Sequence, residues 1–446
     1  MKIVVIGAGE VGFQLAKGLS EEAYDITIID IEKEKVRRAA ENLDVISVKG
    51  DGASPDVLKE AMVGKADIVV AVTRIDEVNL IASQLSHELG ARKIIARLRN
   101  TEYSHKEAII RPERFGIDKV IHPEIAATAE MTRLVRQTSA STVVDFEGGR
   151  LQLIGVRLDN GCPVIDKSLG EIQPDKTSLV FNTVGILRGQ DTLVPHGETV
   201  LEINDICYFL VKKEQVENLM YIVGKPVRET RNVMILGGGK IGRAVASALE
   251  EEIEVRLVEK NREKAQSLAS ELSKTLVLNG DGTDIEFLRM EDPEDLDSFI
   301  AVTENEQTNL LSAMLAKHLG VRQTIIHVST TEYIQAMKVI GLDAVVSKNM
   351  CTVTEILDYI KRDDQLLVTN FEDVDVEAIE LSPATGSKIT QKTLSELKFP
   401  KSSVIGAVNH RGHVYLAQGD TRITGEDSVL VFCLPSAVSQ VEKMFK

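Results

Sequence analysis

Short runs of Val, Ile, Leu and Ala alternate along the chain with longer stretches in which apolar residues recur every three or four positions. In the first half the apolar runs fall near 2–7, 25–30, 45–49, 67–72, 93–97 and 119–121, with helical patterns between them. Ile68-Val69-Val70-Ala71-Val72 is apolar throughout, as strands are when helices cover both faces of a parallel sheet. The pattern predicts βαβ units wound into an α/β, doubly wound sheet. A further helix starts near Pro123 and runs to about 137. From about 143 to 227 the runs become short and β-rich, broken by Gly, Pro and Asp, which predicts a small α+β module.

The whole pattern then returns, about 230 residues later. Lys2-Ile3-Val4-Val5-Ile6-Gly7-Ala8-Gly9-Glu10-Val11-Gly12 matches Asn232-Val233-Met234-Ile235-Leu236-Gly237-Gly238-Gly239-Lys240-Ile241-Gly242. Gly50-Asp51-Gly52 matches Gly280-Asp281-Gly282, and Ala71-Val72-Thr73 with Glu77 and Asn79 matches Ala301-Val302-Thr303 with Gln307 and Asn309. Thr101-Glu102-Tyr103 matches Thr331-Glu332-Tyr333. The fourth quarter matches the second, Asp205-Ile206-Cys207 pairing with Asp427-Ser428-Val429. The expected order is a nucleotide fold over 1–123, a module over 143–227, a second nucleotide fold over 231–348 with its last helix to about 362, and a second module over 366–446. Pro226 and the charged stretch Arg228 to Arg231 mark the linker. Met350, Val353, Leu357 and Ile360 form one stripe of the last helix, which can pack on its own domain or on a neighbour.

Composition narrows the functions. With 52 Lys and Arg against 68 Asp and Glu, the 446 residues carry a formal charge of −16, which excludes a nucleic-acid footprint. Attachment to an anionic membrane surface would go through another protein. No run approaches the roughly 20 apolar residues that span a bilayer and no signal-peptide pattern opens the chain, so a cytoplasmic protein is expected. Cys162, Cys207, Cys351 and Cys433 are scattered without a C-x-x-C pair, and reduced, structural thiols are expected rather than a metal or disulfide framework. His410 and His413 flank Arg-Gly at an expected hairpin tip.

The chemistry concentrates in the two glycine-rich turns. Each follows an apolar strand and opens a helix. Gly7 makes the tight turn, Gly9 lets backbone approach a diphosphate and Gly12 lets helix and strand pack, while helix N–H groups receive phosphate. Gly237, Gly239 and Gly242 repeat these roles. Asp30, 18 residues after Gly12, and Glu259, 17 after Gly242, are the acids for a ribose diol. No Arg adjoins Asp30, so a free ribose, as in NAD(H) or ADP/ATP, is favoured over NADP. Strand-end residues facing the crevice add Asp51, Thr73, Arg74, Arg97 and Arg99, and in the second half Asp281, Thr303, Glu304 and His327. For Arg97 and Arg99, phosphate neutralisation and a structural salt bridge both stay open. Glu10 and Lys240 occupy equivalent places, so the first turn is expected to prefer NAD/NADH and the second to admit ADP or ATP, helped by Lys260 and Arg262.

An oxidoreductase would need a proton donor beside the nicotinamide. Tyr221 and Lys225 have the Tyr-x-x-x-Lys spacing, but Gly224 and Pro226 argue against the helix that would align them. A binding protein is the expected reading, and an NAD(P)-dependent oxidoreductase the alternative.

Taken together, the glycine motif, the Gly-Asp-Gly turn, Ala-Val-Thr with its following acid and Asn79 or Asn309, all ahead of an α+β module, resemble the RCK (KTN) domains that regulate K⁺ channels and transporters. Two copies in one chain resemble the cytoplasmic regulatory subunits of bacterial Trk potassium uptake systems. The resemblance implies two tandem Rossmann-like RCK N-terminal domains paired through their last helices, each followed by an RCK C-terminal module. It also implies a homo-tetramer with an eight-RCK ring, no catalysis, and docking on a membrane-embedded Trk potassium channel subunit at the inner face of the membrane, without insertion. Nucleotides would set gating. Gly7, Ala8, Gly9, Glu10, Val11, Asp30, Thr73, Arg74 and Arg97, with Gly237, Gly238, Gly239, Lys240, Ile241 and Glu259, are the nucleotide positions it carries over. Regulation of another cation channel or an antiporter is a further reading.

Overall fold

The computed structural model describes residues 1–20, 24–104, 111–136, 142–172, 179–189, 191–225, 230–329, 340–363, 369–371 and 374–446. Thr331-Glu332-Tyr333 and most of the linker, including Pro226 and Arg228, lie outside the described residues.

Alternation of apolar runs and helices gives the expected parallel sheet. Its elements are β1 (Lys2–Ile6), α1 (Glu10–Ser20), β2 (Asp25–Asp30), α2 (Lys33–Asn42), β3 (Ile46–Lys49), α3 (Pro55–Glu60), β4 (Ile68–Ala71), α4 (Asp76–Leu89), β5 (Lys93–Arg97), β6 (Lys119–Ile121) and α5 (Pro123–Arg136). The strand order is β3-β2-β1-β4-β5-β6, and all five pairings are parallel. Every residue of β4 is buried, which is why its sequence carries no polar alternation.

The first small module is an antiparallel sheet of β7 (Thr142–Phe146), β8 (Leu151–Arg157), β9 (Phe181–Arg188), β10 (Asp191–Leu193) and β11 (Ile206–Lys212), with α6 (Leu169–Ile172) and α7 (Val216–Val223). Its order is β10-β9-β11-β8-β7. The second parallel sheet has β12 (Asn232–Leu236), α8 (Lys240–Leu249), β13 (Glu254–Glu259), α9 (Arg262–Glu271), β14 (Leu276–Asn279), α10 (Ile285–Met290), β15 (Ser298–Ala301), α11 (Glu306–His318), β16 (Gln323–His327), β17 (Ala344–Val346) and α12 (Lys348–Asp363). It repeats the first topology as β14-β13-β12-β15-β16-β17. The second module follows with β18 (Thr369–Phe371), β19 (Val374–Leu381), β20 (Ser403–His410), β21 (His413–Leu416), β22 (Asp427–Cys433) and α13 (Val438–Phe445).

Met1–Arg136 and Thr230–Ile360 form one compact unit, and Gln137–Glu229 with Lys361–Lys446 form another. Within the first unit the two halves exchange their last helices. Ala127, Met131 and Val135 of α5 pack into the core of the second sheet with Val233, Val245 and Leu249. Val353, Ile356 and Ile360 of α12 pack into the first core with Ile3, Val5 and Leu15. The apolar stripe of α12 thus covers the other half's sheet. Each of these side chains is at most 3 % exposed, and burying one of the Val, Leu, Ile or Met side chains contributes about 1.5–3 kcal/mol. In the second unit the two antiparallel sheets share one core, in which Leu153, Tyr208 and Leu210 meet Val376, Ala407 and Phe432.

Two local details bear on the sequence reading. The turn Arg411-Gly412 has φ of 50° and 91°, the pair of positive values that a two-residue hairpin requires, so His410 and His413 do flank a hairpin tip. Tyr221 lies in the last turn of α7, a helix that was not expected there. Gly224 ends it with φ +80°, and Lys225 turns back to pair with Asp159.

Candidate functional site

In the first half the turn from β1 into α1 is made by Gly7, at φ +108°, a region open to glycine at little cost. A methyl group added at Gly12 would lie 1.7 Å from the Gly7 carbonyl oxygen, whereas one at Gly9 would meet nothing within 4 Å. Gly12 therefore closes helix against turn, and Gly9 leaves its outer face open to a ligand. Phe13 N–H donates to Gly9 O at 2.8 Å, the first intrahelical bond, so the first turn of α1 presents the N–H groups that helices leave without an intrahelical acceptor. Val11 is buried against the core. Asp30, at the end of β2, accepts from the Ala8 N–H at 2.7 Å and the Glu32 N–H at 2.8 Å. Its carboxylate is thereby held beside the turn.

The second half repeats this geometry. Gly237 also has φ +108°, a methyl at Gly242 would lie 1.9 Å from Gly237 O, and Gly239 is open. Glu259 accepts from Gly238 N–H at 3.1 Å and Asn261 N–H at 2.9 Å, and pairs with the Lys264 ammonium at 3.0 Å. Burial pushes the Glu259 carboxyl up, but the Asn261, Lys264 and Gly238 bonds outweigh it and hold it below the usual carboxylate value. Ile241 is packed against the second core.

Strand ends are stapled by a residue that sequence reasoning noticed only as a repeat marker. Asn79 is fully buried. Its oxygen accepts from Thr73 N–H at 2.9 Å and Thr73 Oγ1 at 2.7 Å, and its amide donates to Thr73 O and to Arg97 O at 2.8 Å. Asn309 does the same with Thr303 and with His327 O at 3.0 Å. An asparagine six residues after Thr in both copies was the available signal. Asp51 and Asp281 sit in tight turns, accepting from Ala53 N–H at 2.9 Å and Thr283 N–H at 3.0 Å. The Lys260 ammonium pairs with Asp281 at 2.8 Å and, with the Thr283 bonds, holds its carboxyl down at about 2. Lys260 is thus committed to Asp281.

The charged residues divide unexpectedly. Arg97 is 8 % exposed, its Nε has no hydrogen-bond partner, and burial, with Arg99 adjacent, lowers its pKa. Among the described residues no carboxylate stands within salt-bridge distance of it, so the structural salt bridge is not what occupies Arg97. Its counterpart His327 is 7 % exposed, with Nε2 unpartnered. Burial, reinforced by the Lys348 ammonium, pushes the imidazole down to about 4. Arg74, Asp76, Glu77, Arg99 and Tyr103 line an open cavity of about 360 Å³, and the remaining cation on its wall is Lys240, from the second half's glycine turn. Asp76 is fixed there by N–H groups of Arg99 and Asn100 at 2.8–3.0 Å. The positive charge expected to serve the second turn is therefore delivered to the first half's strand ends. Glu10 runs along α1, accepting from Gln14 Nε2 at 3.2 Å.

Two doubly wound sheets with glycine-rich turns, each followed by an antiparallel module, define a tandem nucleotide-fold protein of the RCK kind. The TrkA-N domain pattern matches residues 3–123 and 233–348, and the TrkA-C domain pattern matches 153–224 and 379–446. The chain is 32 % identical over 451 residues to the Trk system potassium uptake protein TrkA of Halomonas elongata, covering all of this chain and 99 % of that one. It is 34 % identical over 457 residues to TrkA homolog 2 of Methanosarcina mazei, covering all of both. Among solved structures, the GsuK RCK domain superposes with a TM-score of 0.60 at 17 % identity over all of this chain and 94 % of that one. The GsuK channel bound to NAD gives the same score and identity over 78 % of its chain. The chain belongs to the TrkA family.

Proposed function

We propose that the protein is the regulatory subunit of a Trk-type potassium uptake system, a non-catalytic sensor that binds adenine nucleotides in its glycine turns and biases a membrane-embedded channel subunit. The names of the relatives carry the potassium assignment. NAD in a structure of the same fold supports NAD(H) as a ligand. Among the described residues no helix is long and apolar enough to cross a membrane, so the conducting path is assigned to the partner. The subunit works from the cytoplasmic side as a tetramer, whose eight nucleotide folds form a ring.

The observation that carries the mechanism is the shared wall. A diphosphate on the Gly7–Gly12 turn, with Asp30 on the ribose, extends toward Thr73 and Arg74, where Lys240 of the other half completes the cavity. Binding there depends on how the two halves are set against each other, which is what linkage requires: a ligand moves only an equilibrium whose states it binds unequally. A difference of about 1–3 kcal/mol changes opening roughly 5- to 150-fold. Lys240 on the first half's wall supports the more highly charged ligands, ADP and ATP, at the first site, the reverse of the order expected from the sequence.

Potassium flux into liposomes holding the channel subunit, measured with this protein over NAD, NADH, ADP and ATP, tests the reading. At least one nucleotide is expected to change flux several-fold, and Lys240→Glu to weaken the ADP or ATP response selectively. Flux indifferent to all four overturns it.

A further inference from the structure

A second cavity, of about 550 Å³, lies in the unit built by the two small modules, far along the chain from either glycine turn. Its walls are Arg150 at the start of β8, Lys212 and Lys213 at the end of β11, Glu214, and His413 from the β20–β21 hairpin of the second module. Three permanent cations converge there, in a chain whose formal charge is −16.

Arg150 is paired with Glu147, and the two lysines are the uncommitted cations. Among the described residues neither Lys212 nor Lys213 makes an ion pair. Arg150 is held in place: Nε donates to Glu147 O at 2.9 Å, Nη2 to Glu147 Oε2 at 3.3 Å and Nη1 to Gly412 O across the module boundary. Glu147 Oε2, which pairs with the Arg150 guanidinium, also accepts from Asn409 Nδ2 of the second module at 2.8 Å. That leaves Glu214 as the single carboxylate on the wall, beside two uncommitted ammonium groups and a guanidinium whose position is fixed before any ligand arrives.

The internal repeat supplies a comparison. Asp205 aligns with Asp427, so Lys212-Lys213-Glu214 aligns with Leu434-Pro435-Ser436, and His413, opening β21, aligns with Asp191, opening β10. At these positions the other module thus carries no cation. A fold-dictated feature would recur in both copies, and this one does not.

We infer that this cleft binds a small phosphate-bearing anion of up to nucleotide size. Its volume lies within the roughly 300–1,000 Å³ of small-molecule sites. A recess in which Arg150, Lys212 and Lys213 outnumber Glu214 concentrates positive potential on its contents, and a fixed guanidinium flanked by ammonium groups suits phosphate oxygens. Because Arg150 and the two lysines belong to one module and His413 to the other, the bound anion bridges them and favours the arrangement seen here. This site stands apart from the nucleotide reading of the glycine turns.

Calorimetric titration of the full chain with inorganic pyrophosphate tests it, against the double variant Lys212→Gln, Lys213→Gln. Both side chains lie outside the packed core, and an unchanged melting temperature verifies the variant. Pyrophosphate held by the glycine turns is common to both proteins and cancels in the difference. The wild type is expected to bind one more pyrophosphate per chain, or to bind it about tenfold more tightly at low salt, while NAD titrations coincide. A readout on the wild type alone is acetylation of Lys212 and Lys213, which pyrophosphate should slow several-fold. Superimposable isotherms, or lysines modified equally fast with and without pyrophosphate, overturn the proposal.

Discussion

The carboxamide of Asn79 ties Arg97 to Thr73: it donates to the Arg97 carbonyl at 2.8 Å and accepts the Thr73 N–H at 2.9 Å, fixing the ends of β5 and β4 together. Replacing Asn79 with Ala leaves these buried groups without partners, at about 1–3 kcal/mol each. Asn79→Ala should therefore lower the melting temperature by several degrees in calorimetry and weaken nucleotide binding at the first turn. An unaltered melting curve would show that water replaces the staple at no cost.

Gly9 and Gly12 separate folding from binding. At Gly12 even a methyl group falls 1.7 Å from a backbone oxygen, whereas at Gly9 it meets open space. Gly12→Ala should be destabilised by at least ~2 kcal/mol and bind no nucleotide at that turn. Gly9→Val should melt within about a degree of the wild type yet lose NAD or ATP affinity at least tenfold, because the side chain stands where phosphate approaches backbone.

His327 gives a pH dependence of known sign. Its folded pKa of about 4 lies below the ordinary histidine value of 6.5, so the unfolded chain takes up the proton first. Stability should be highest above pH 6.5 and decline as pH falls from 6.5 towards 4, by up to about 3 kcal/mol. His327→Gln should flatten this window in urea titrations at stepped pH. Asp281, held at about 2 against an ordinary 3.8, contributes stability that is lost only below pH 4, so the two effects are separable.

Arg97 is a buried cation whose cost a ligand would offset. Removing a buried charge that lacks an ion partner stabilises a fold or leaves it unchanged. Arg97→Met is expected to melt at or above the wild-type temperature without nucleotide, and to show a much smaller rise when ATP or NAD is added. A variant that melts lower yet keeps the full ligand-induced rise would make Arg97 structural.

Strand positions were legible where both faces of a parallel strand are covered: β4 reads as an unbroken apolar run at the place where it forms. The glycines and acids were legible because backbone geometry restricts those positions, and the repeat exposed them twice. Less visible was anything decided between the halves. The stripe on α12 announced a buried face without naming its partner, and Lys240 sat in its own turn by sequence while it lines a cavity with Arg74 and Arg99 of the first half. Such pairings depend on chain segments more than 100 residues apart, to which local periodicity is blind. Tyr221 is a subtler case, since a glycine three residues on, which disfavours a helix interior, here terminates a helix instead.

The traded helices also set how this polypeptide can be divided. A fragment stopping near residue 230 would carry α5 with nothing to lay it on and a bare β-sheet surface where α12 belongs. Such a half has two ways out: insolubility, or embracing a twin so that each supplies the other's missing roof. Co-produced halves, by contrast, should find one another and rebuild the intact core without a peptide bond joining them.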